Sequence, residues 1–407
     1  MTDQQGDLPG GIKLTPLNPA YGENPYPTLK DLRERCPVHD DRQFGRWFVT
    51  RFDTIRQILR LKSASVVPRR TTARRVYSHE IMIANSANHR LFAFFTDDPE
   101  HRRLRRFVNS AFTINATEAL RPRIRRTALA LIADIRDPDF DVMRRFAEPL
   151  TTTVMADLLG VDPGDRLLFK ELADAMTTTF YNPFRSAKKV KLATEAHRRF
   201  DEFMRKIIES RRAARREDLV SAMLRTDDAG APPSDELLLW LCSSVLIAGR
   251  FTTADAIGNG IKALLDHPHE LAKLRSRPEL VGNAVEEILR YDAPTLQSFR
   301  IVTSDITVDG YQFRPGELVT ASLAAANHDP AANADPDRFD VERPNIQHQS
   351  FGGGMHMCLG APLARVELQE AITALLESFP GLHASTRGFT RRRIPGSRGM
   401  SEFWLSV

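Results

Sequence analysis

Cysteine is scarce in this chain of 407 residues: Cys36, Cys242 and Cys358 are all it has. Three thiols make no disulfide framework and suit a reducing compartment. Also missing are internal repeats, low-complexity tracts and long Gly/Ser linkers, so no boundary divides the sequence. Length alone suggests two or three domains, but the uninterrupted pattern leads us to expect one over 1–407. The opening Met1-Thr2-Asp3-Gln4-Gln5-Gly6-Asp7 lacks the apolar core of a signal peptide, and no apolar run is read as a membrane span. Excess charge is small too, a formal +5. Its basic residues nevertheless cluster, at Arg102, Arg103, Arg105 and Arg106, at Lys188, Lys189 and Lys191, and at Arg211, Arg212, Arg215 and Arg216. Without a helix-turn-helix, zinc or aromatic-basic signature these do not make a nucleic-acid binder. They suit a solvated face or an acidic protein partner.

The chain has ample material for a core, with 42% hydrophobic residues. Trp47-Phe48-Val49-Thr50-Arg51-Phe52 is β-prone and 53–61 looks helical. The stretch 117–274 reads as successive amphipathic helices. Strand signals return at 301–308, 317–321 and 401–407. The class is mainly α with a smaller β region.

One helix announces its own start. Pro232-Pro233-Ser234-Asp235-Glu236 supplies prolines, a capping serine and two acids that suit the helix dipole. Leu237 to Ile247 then follow with apolar residues on nearly every side, which implies a buried helix. Without a strong breaker before His267-Pro268, it runs roughly 45 Å at about 1.5 Å per residue. Its middle reads Ala248-Gly249-Arg250-Phe251-Thr252-Thr253. Small residues there admit a neighbouring helix or a flat ligand, and Thr252 can bond a carbonyl one turn back or present its hydroxyl to a ligand. Taken alone, the segment is a helix-packing site.

Cys358 stands in Phe351-Gly352-Gly353-Gly354-Met355-His356-Met357-Cys358-Leu359-Gly360, directly before a helical stretch beginning at Ala361. A lone thiolate ligand must be deprotonated and kept from a second cysteine. Glycines let backbone N–H groups crowd toward the sulfur, and a helix N-terminus favours its charge. The plain alternative is a buried structural cysteine beside a turn.

The ten-residue run resembles the cysteine-ligand loop of the cytochrome P450 family, Phe-Gly-x-Gly-x-His-x-Cys-x-Gly, at every fixed position. Other segments are similar to the family in the same order. Ala248-Gly249 to Thr252 resembles the oxygen-binding groove of its long central helix, and Glu287-Ile288-Leu289-Arg290 its Glu-x-x-Arg signature. The stretch 335–344 resembles the meander that adds an arginine to that pair, Arg343 in preference to Arg338. The resemblance implies a triangular, mostly helical fold with Cys358 as axial ligand of a haem iron, haem b (iron protoporphyrin IX). Phe351, Gly352 and Gly360 would belong to the cofactor loop, and His101, Arg105, Arg300 and His356 would hold the propionates. The outward arginines near residue 102 would face a ferredoxin-type donor with its reductase. The substrate wall would draw on 81–95, including Leu91 and Phe92, on 178–184, and on Ile247, Ala248, Gly249, Leu296 and Met400.

The implied activity is a monooxygenase that uses O2 and electrons from an external donor on a small, largely apolar organic substrate. Terpenoid, fatty-acyl, polyketide or aromatic compounds fit that wall. The expected form is the bacterial, cytoplasmic, monomeric one, with neither membrane anchor nor fused reductase. One position departs from the family: an acid usually precedes the threonine, and here it is Phe251, which cannot relay a proton. Asp255, one turn onward, is a candidate partial substitute. Arg250 is also unusual, with three roles open to it: snorkelling outward, anchoring an acidic substrate, or pairing with a carboxylate. Phe251 keeps alive an atypical haem-thiolate chemistry, whether peroxide-driven, nitric-oxide-handling, coupling or rearranging. A haem sensor without turnover would leave Thr252 and the basic face without a role.

Overall fold

The aromatic and branched residues around Trp47 pair into a strand, Arg46–Val49, antiparallel to Val38–Asp41. In the computed structural model, which describes residues 8–67, 70–71, 95–180, 187–225 and 231–407, this hairpin starts a five-stranded sheet. Arg46–Val49 runs parallel to Leu318–Ser322, which is antiparallel to Gln297–Val302, which in turn pairs with Ala64–Ser65. A separate hairpin joins Ile306–Val308 to Tyr311–Phe313 through Asp309-Gly310. Both turn residues have positive φ, 52° and 78°, as a two-residue turn matching strand twist requires.

The chain forms two compact units, each drawn from separated stretches: Met1–Met82, Gly258–Cys358 and Arg387–Phe403 in one, and Ile83–Ile257, Leu359–Thr386 and Trp404–Val407 in the other. The five-stranded sheet lies in the first. Against it packs the helix Phe52–Arg60, whose Phe52, Ile55, Ile58 and Leu59 share one face and are buried with Val49, Val302, Val319 and Phe313. Each such side chain contributes about 1.5–3 kcal/mol by leaving water. The Asp329 carboxylate accepts from the Phe52 N–H at 2.8 Å, satisfying a donor that the helix itself leaves open.

The second unit is mostly helical. Ile114–Ala133 packs along Ala361–Ser378, and Arg166–Phe180 along Ala187–Ala213, where Phe169 meets Phe200 and Phe203. The helical run expected over 117–274 is interrupted by a strand, Asp139–Asp141, paired with Trp404–Ser406. The capped helix extends over Asp235–Asp266, and Ser234 accepts from the Leu237 N–H as its start pattern implies. Length and composition would let this helix cross a membrane, contrary to the expectation that no run reaches that length; 72% of its most apolar window is buried within the protein, as in a core helix. Residues 81–94, with Leu91 and Phe92, and residues 181–184 of the expected substrate wall lie outside the described residues.

Candidate active site

The three cysteines divide sharply. Cys242 is buried and burial pushes its thiol well up; Cys36 is half-buried and raised for the same reason; Cys358 alone is exposed. The buried structural cysteine is thus excluded as a description of Cys358. Its loop is closed by backbone bonds, with the Cys358 N–H donating to the Phe351 carbonyl at 2.9 Å and the Met357 N–H to the Gly354 carbonyl at 3.1 Å. One of the glycines also has a packing role. Gly354 has φ +69°, and a Cβ there would lie 2.3 Å from the Leu59 carbonyl oxygen. Glycine lets the loop lie directly on the C-terminal end of the Phe52–Arg60 helix.

Arg300, on the Gln297–Val302 strand, is buried. It donates to the Leu59 carbonyl at 3.1 Å, to the Gly353 carbonyl at 3.2 Å and to the Phe299 carbonyl at 2.8 Å. The guanidinium thus ties the same helix end to the cysteine loop. His356 closes the short turn Gly354–His356, two residues before the sulfur. In the other unit, His101 is buried on the helix Glu100–Val108. Burial lowers its pKa, and the Arg105 charge lowers it further. Of the neighbouring arginines, Arg102 pairs with Asp98 at 2.6 Å and Arg103 with Glu100 at 2.7 Å.

Behind the loop lies a saturated ionic cluster. Glu287 and Arg290 are fully buried and joined by two bonds of 2.7 and 2.8 Å. Arg343 adds bonds of 3.1 Å to both Glu287 oxygens, whereas Arg338 points outward to Asp340. Arg290 also donates to the carbonyls of Asn327, Pro336 and Arg338. Sequence reading missed Asn327, whose amide group donates to Ser350 at 2.8 Å and accepts from the Gln349 N–H at 2.7 Å. It thereby links the cluster to the start of the cysteine loop. Its one sequence signal is a lone amide after the apolar run Ala324-Ala325-Ala326.

In the middle of the long helix, exposure changes. Val245, Leu246 and Ile247 are buried, as are Thr253 to Ile257, but Ala248, Gly249, Phe251 and Thr252 are only half-buried. Positions 248, 251 and 252 share one face at helical spacing, so the helix presents a half-buried face there. The Thr252 hydroxyl donates to the Ala248 carbonyl at 2.9 Å. Gly249 is largely a packing residue: a Cβ would stand 2.5 Å from the Met155 sulfur. Arg250 neither snorkels nor stands free for a substrate. It is 1% exposed, donates to the Thr152 hydroxyl at 2.7 Å, pairs with Asp174, and lies 5.0 Å from the centre of the Phe251 ring. Asp255 is buried. Of the expected apolar wall, Ile247 and Met400 are fully buried. Leu296 packs into a core cluster with Leu14, Tyr21 and Phe48.

The residues fit a haem. Among the described residues no group of three or more His, Cys, Asp or Glu can hold a bare metal ion. One exposed thiol holds iron only if a macrocycle supplies the other ligands.

That donor set belongs to the haem-thiolate class, and comparison with known proteins makes the assignment. The sequence model of Cytochrome P450 matches residues 54–386, and the chain belongs to the cytochrome P450 family, a family of monooxygenases and hence oxidoreductases. It is 36% identical to Cytochrome P450 monooxygenase PikC of Streptomyces venezuelae, over 93% of this chain and 90% of that protein. It is 34% identical to the Biotin biosynthesis cytochrome P450 of Bacillus subtilis, over 93% and 95%. The structure of P450BioI in complex with hexadec-9Z-enoic acid ligated acyl carrier protein superposes with a TM-score of 0.83, at 33% identity, covering 96% of this chain and 100% of that one.

Proposed function

We propose that this chain is a haem b monooxygenase that inserts one atom of O2 into a small, largely apolar organic molecule, with electrons from a ferredoxin and its reductase. The exposed Cys358 thiol carries the reading. When bound, haem supplies the iron that activates dioxygen, which no side chain can do. The protein's own groups have simpler tasks. Cys358 would hold the iron, with Phe351, Gly352 and Gly360 framing the ligand loop. Arg300, His356, His101 and Arg105 would take up the carboxylates of the macrocycle by charge and N–H donation. Glu287, Arg290 and Arg343 would keep the loop in place from behind. Thr252 commits its hydroxyl proton to the Ala248 carbonyl, so its oxygen is left to accept. We read residues 1–407 as one catalytic domain, cytoplasmic and monomeric, with no nucleic-acid or membrane partner.

Relatives named for biotin biosynthesis and for a polyketide pathway support an acyl or polyketide-like substrate among the apolar classes. The test is turnover under 18O2 with ferredoxin, reductase and a library of such compounds. One labelled oxygen per product supports the reading; product without O2 or without electrons rejects it.

A second reading rests on Phe251. A phenylalanine beside Thr252 relays no proton, and that favours chemistry driven by peroxide or nitric oxide, or coupling and rearrangement. Product formed only with peroxide or nitric oxide in the same screen would select it.

A further inference from the structure

We propose that Arg250 is a positioning residue whose contacts fix the rotation of the long helix at Phe251 and Thr252. This rests on the oxygen-handling role proposed for Thr252. Two adjacent residues of the long helix are held by two residues one turn apart on the helix Glu148–Leu158. Gly249 seats the Met155 thioether, whose sulfur would stand 2.5 Å from a Cβ there, so the Met155 side chain lies directly on the long helix. Arg250 takes the Thr152 hydroxyl, at 2.7 Å. That hydroxyl donates its own proton to the Glu148 carbonyl at 2.6 Å, so toward Arg250 it can only accept.

The far end of the guanidinium is held as well. It pairs with one carboxylate oxygen of Asp174, while the other accepts from Lys170 at 3.0 Å. Its face lies over the Phe251 ring at 5.0 Å. Successive helical residues are about 100° apart, so fixing 249 and 250 fixes where 251 and 252 point. At a reacting centre a misplacement of about 1 Å costs on the order of 10²-fold in rate. The two residues that depart from expectation, Arg250 and Phe251, thus form one device.

The experiment uses full-length holoprotein carrying Arg250→Lys, Thr152→Val or Lys170→Gln, each also combined with Thr252→Ala. Lys170 touches Asp174 but not Arg250, and serves as control. Amide hydrogen exchange at 250–253 should quicken about tenfold in Arg250→Lys and Thr152→Val, and stay unchanged in Lys170→Gln. Hydrogen peroxide released per NADPH consumed, with ferredoxin and reductase, should rise about threefold in Arg250→Lys and no further when Thr252→Ala is already present. Unchanged exchange in both clamp variants overturns the proposal, as does an equal rise in peroxide with and without Thr252. A wild-type protein that consumes no NADPH with O2 would overturn the proposed function instead, and exchange would still decide the clamp.

Discussion

The cysteine loop and the middle of the long helix solve opposite problems. Around the loop, Glu287, Arg290, Arg343, Asn327 and Arg300 are buried, and their charges and amide groups are answered by one another, by backbone groups or, at Asn327, by the Ser350 hydroxyl as well. The long helix instead interrupts its buried surface with the half-exposed face at 248, 251 and 252, and its arginine is clamped to one side. A ligand loop tolerates no slack, because a thiolate must meet its metal at a fixed place. A face that receives small molecules must stay open, so fixed orientation there has to come from contacts behind it.

That contrast can be broken most forcefully at Glu287. Glu287→Gln would leave Arg290 and Arg343 buried without their carboxylate and should cost about 3–5 kcal/mol, measured by urea unfolding. A loss near zero would mean the cluster behind the loop is not a rigid support. Next comes Gly354→Ala, where positive φ and a collision with the Leu59 carbonyl combine: about 2–3 kcal/mol, with weakened haem retention. Gly352→Ala, at φ +67° with open space around it, should cost only about 1 kcal/mol.

A pH effect is expected at a separate buried ion pair, where Asp292 meets Arg398 and Arg391. Asp292 is buried, which alone would raise its pKa, but Arg398 and Arg391 outweigh burial and hold it below the usual carboxylate value. Its folded pKa therefore lies under the unfolded value of about 3.9, so its stabilisation is present above that pH and fades as pH falls further. Urea midpoints of the wild type and Asp292→Asn should differ at pH 6 and converge below about pH 4. The smallest effect on folding is expected on the open side. Phe251→Glu should change stability by less than about 1 kcal/mol yet raise product formed per electron pair. Unchanged coupling would remove proton delivery as the meaning of that departure.

Much of this arrangement was legible in the sequence, and for identifiable reasons. Ser234 and its prolines marked a helix start because capping is local, and Thr252 could be given a bond to its own turn for the same reason. Glu287, Arg290 and Arg343 were readable from motif and order. The tie from Asn327 to Gln349 and Ser350 was not, nor was the seat of Met155 on Gly249, because each joins residues far apart in the chain with no periodic signal. Arg300 was expected at a propionate, and its bonds to the Leu59 and Gly353 carbonyls carry no mark in sequence. Nor does sequence say whether an apolar residue such as Leu296 lines a pocket or fills a core, since the side chain is the same in both.

The central claim is that Cys358 is the iron ligand, and the ferrous carbon monoxide spectrum tests it most directly. The wild type should show the red-shifted band of thiolate ligation. Cys358→Ser should lose it. An unshifted band in the wild type, or a red-shifted band that survives in Cys358→Ser, would contradict the account.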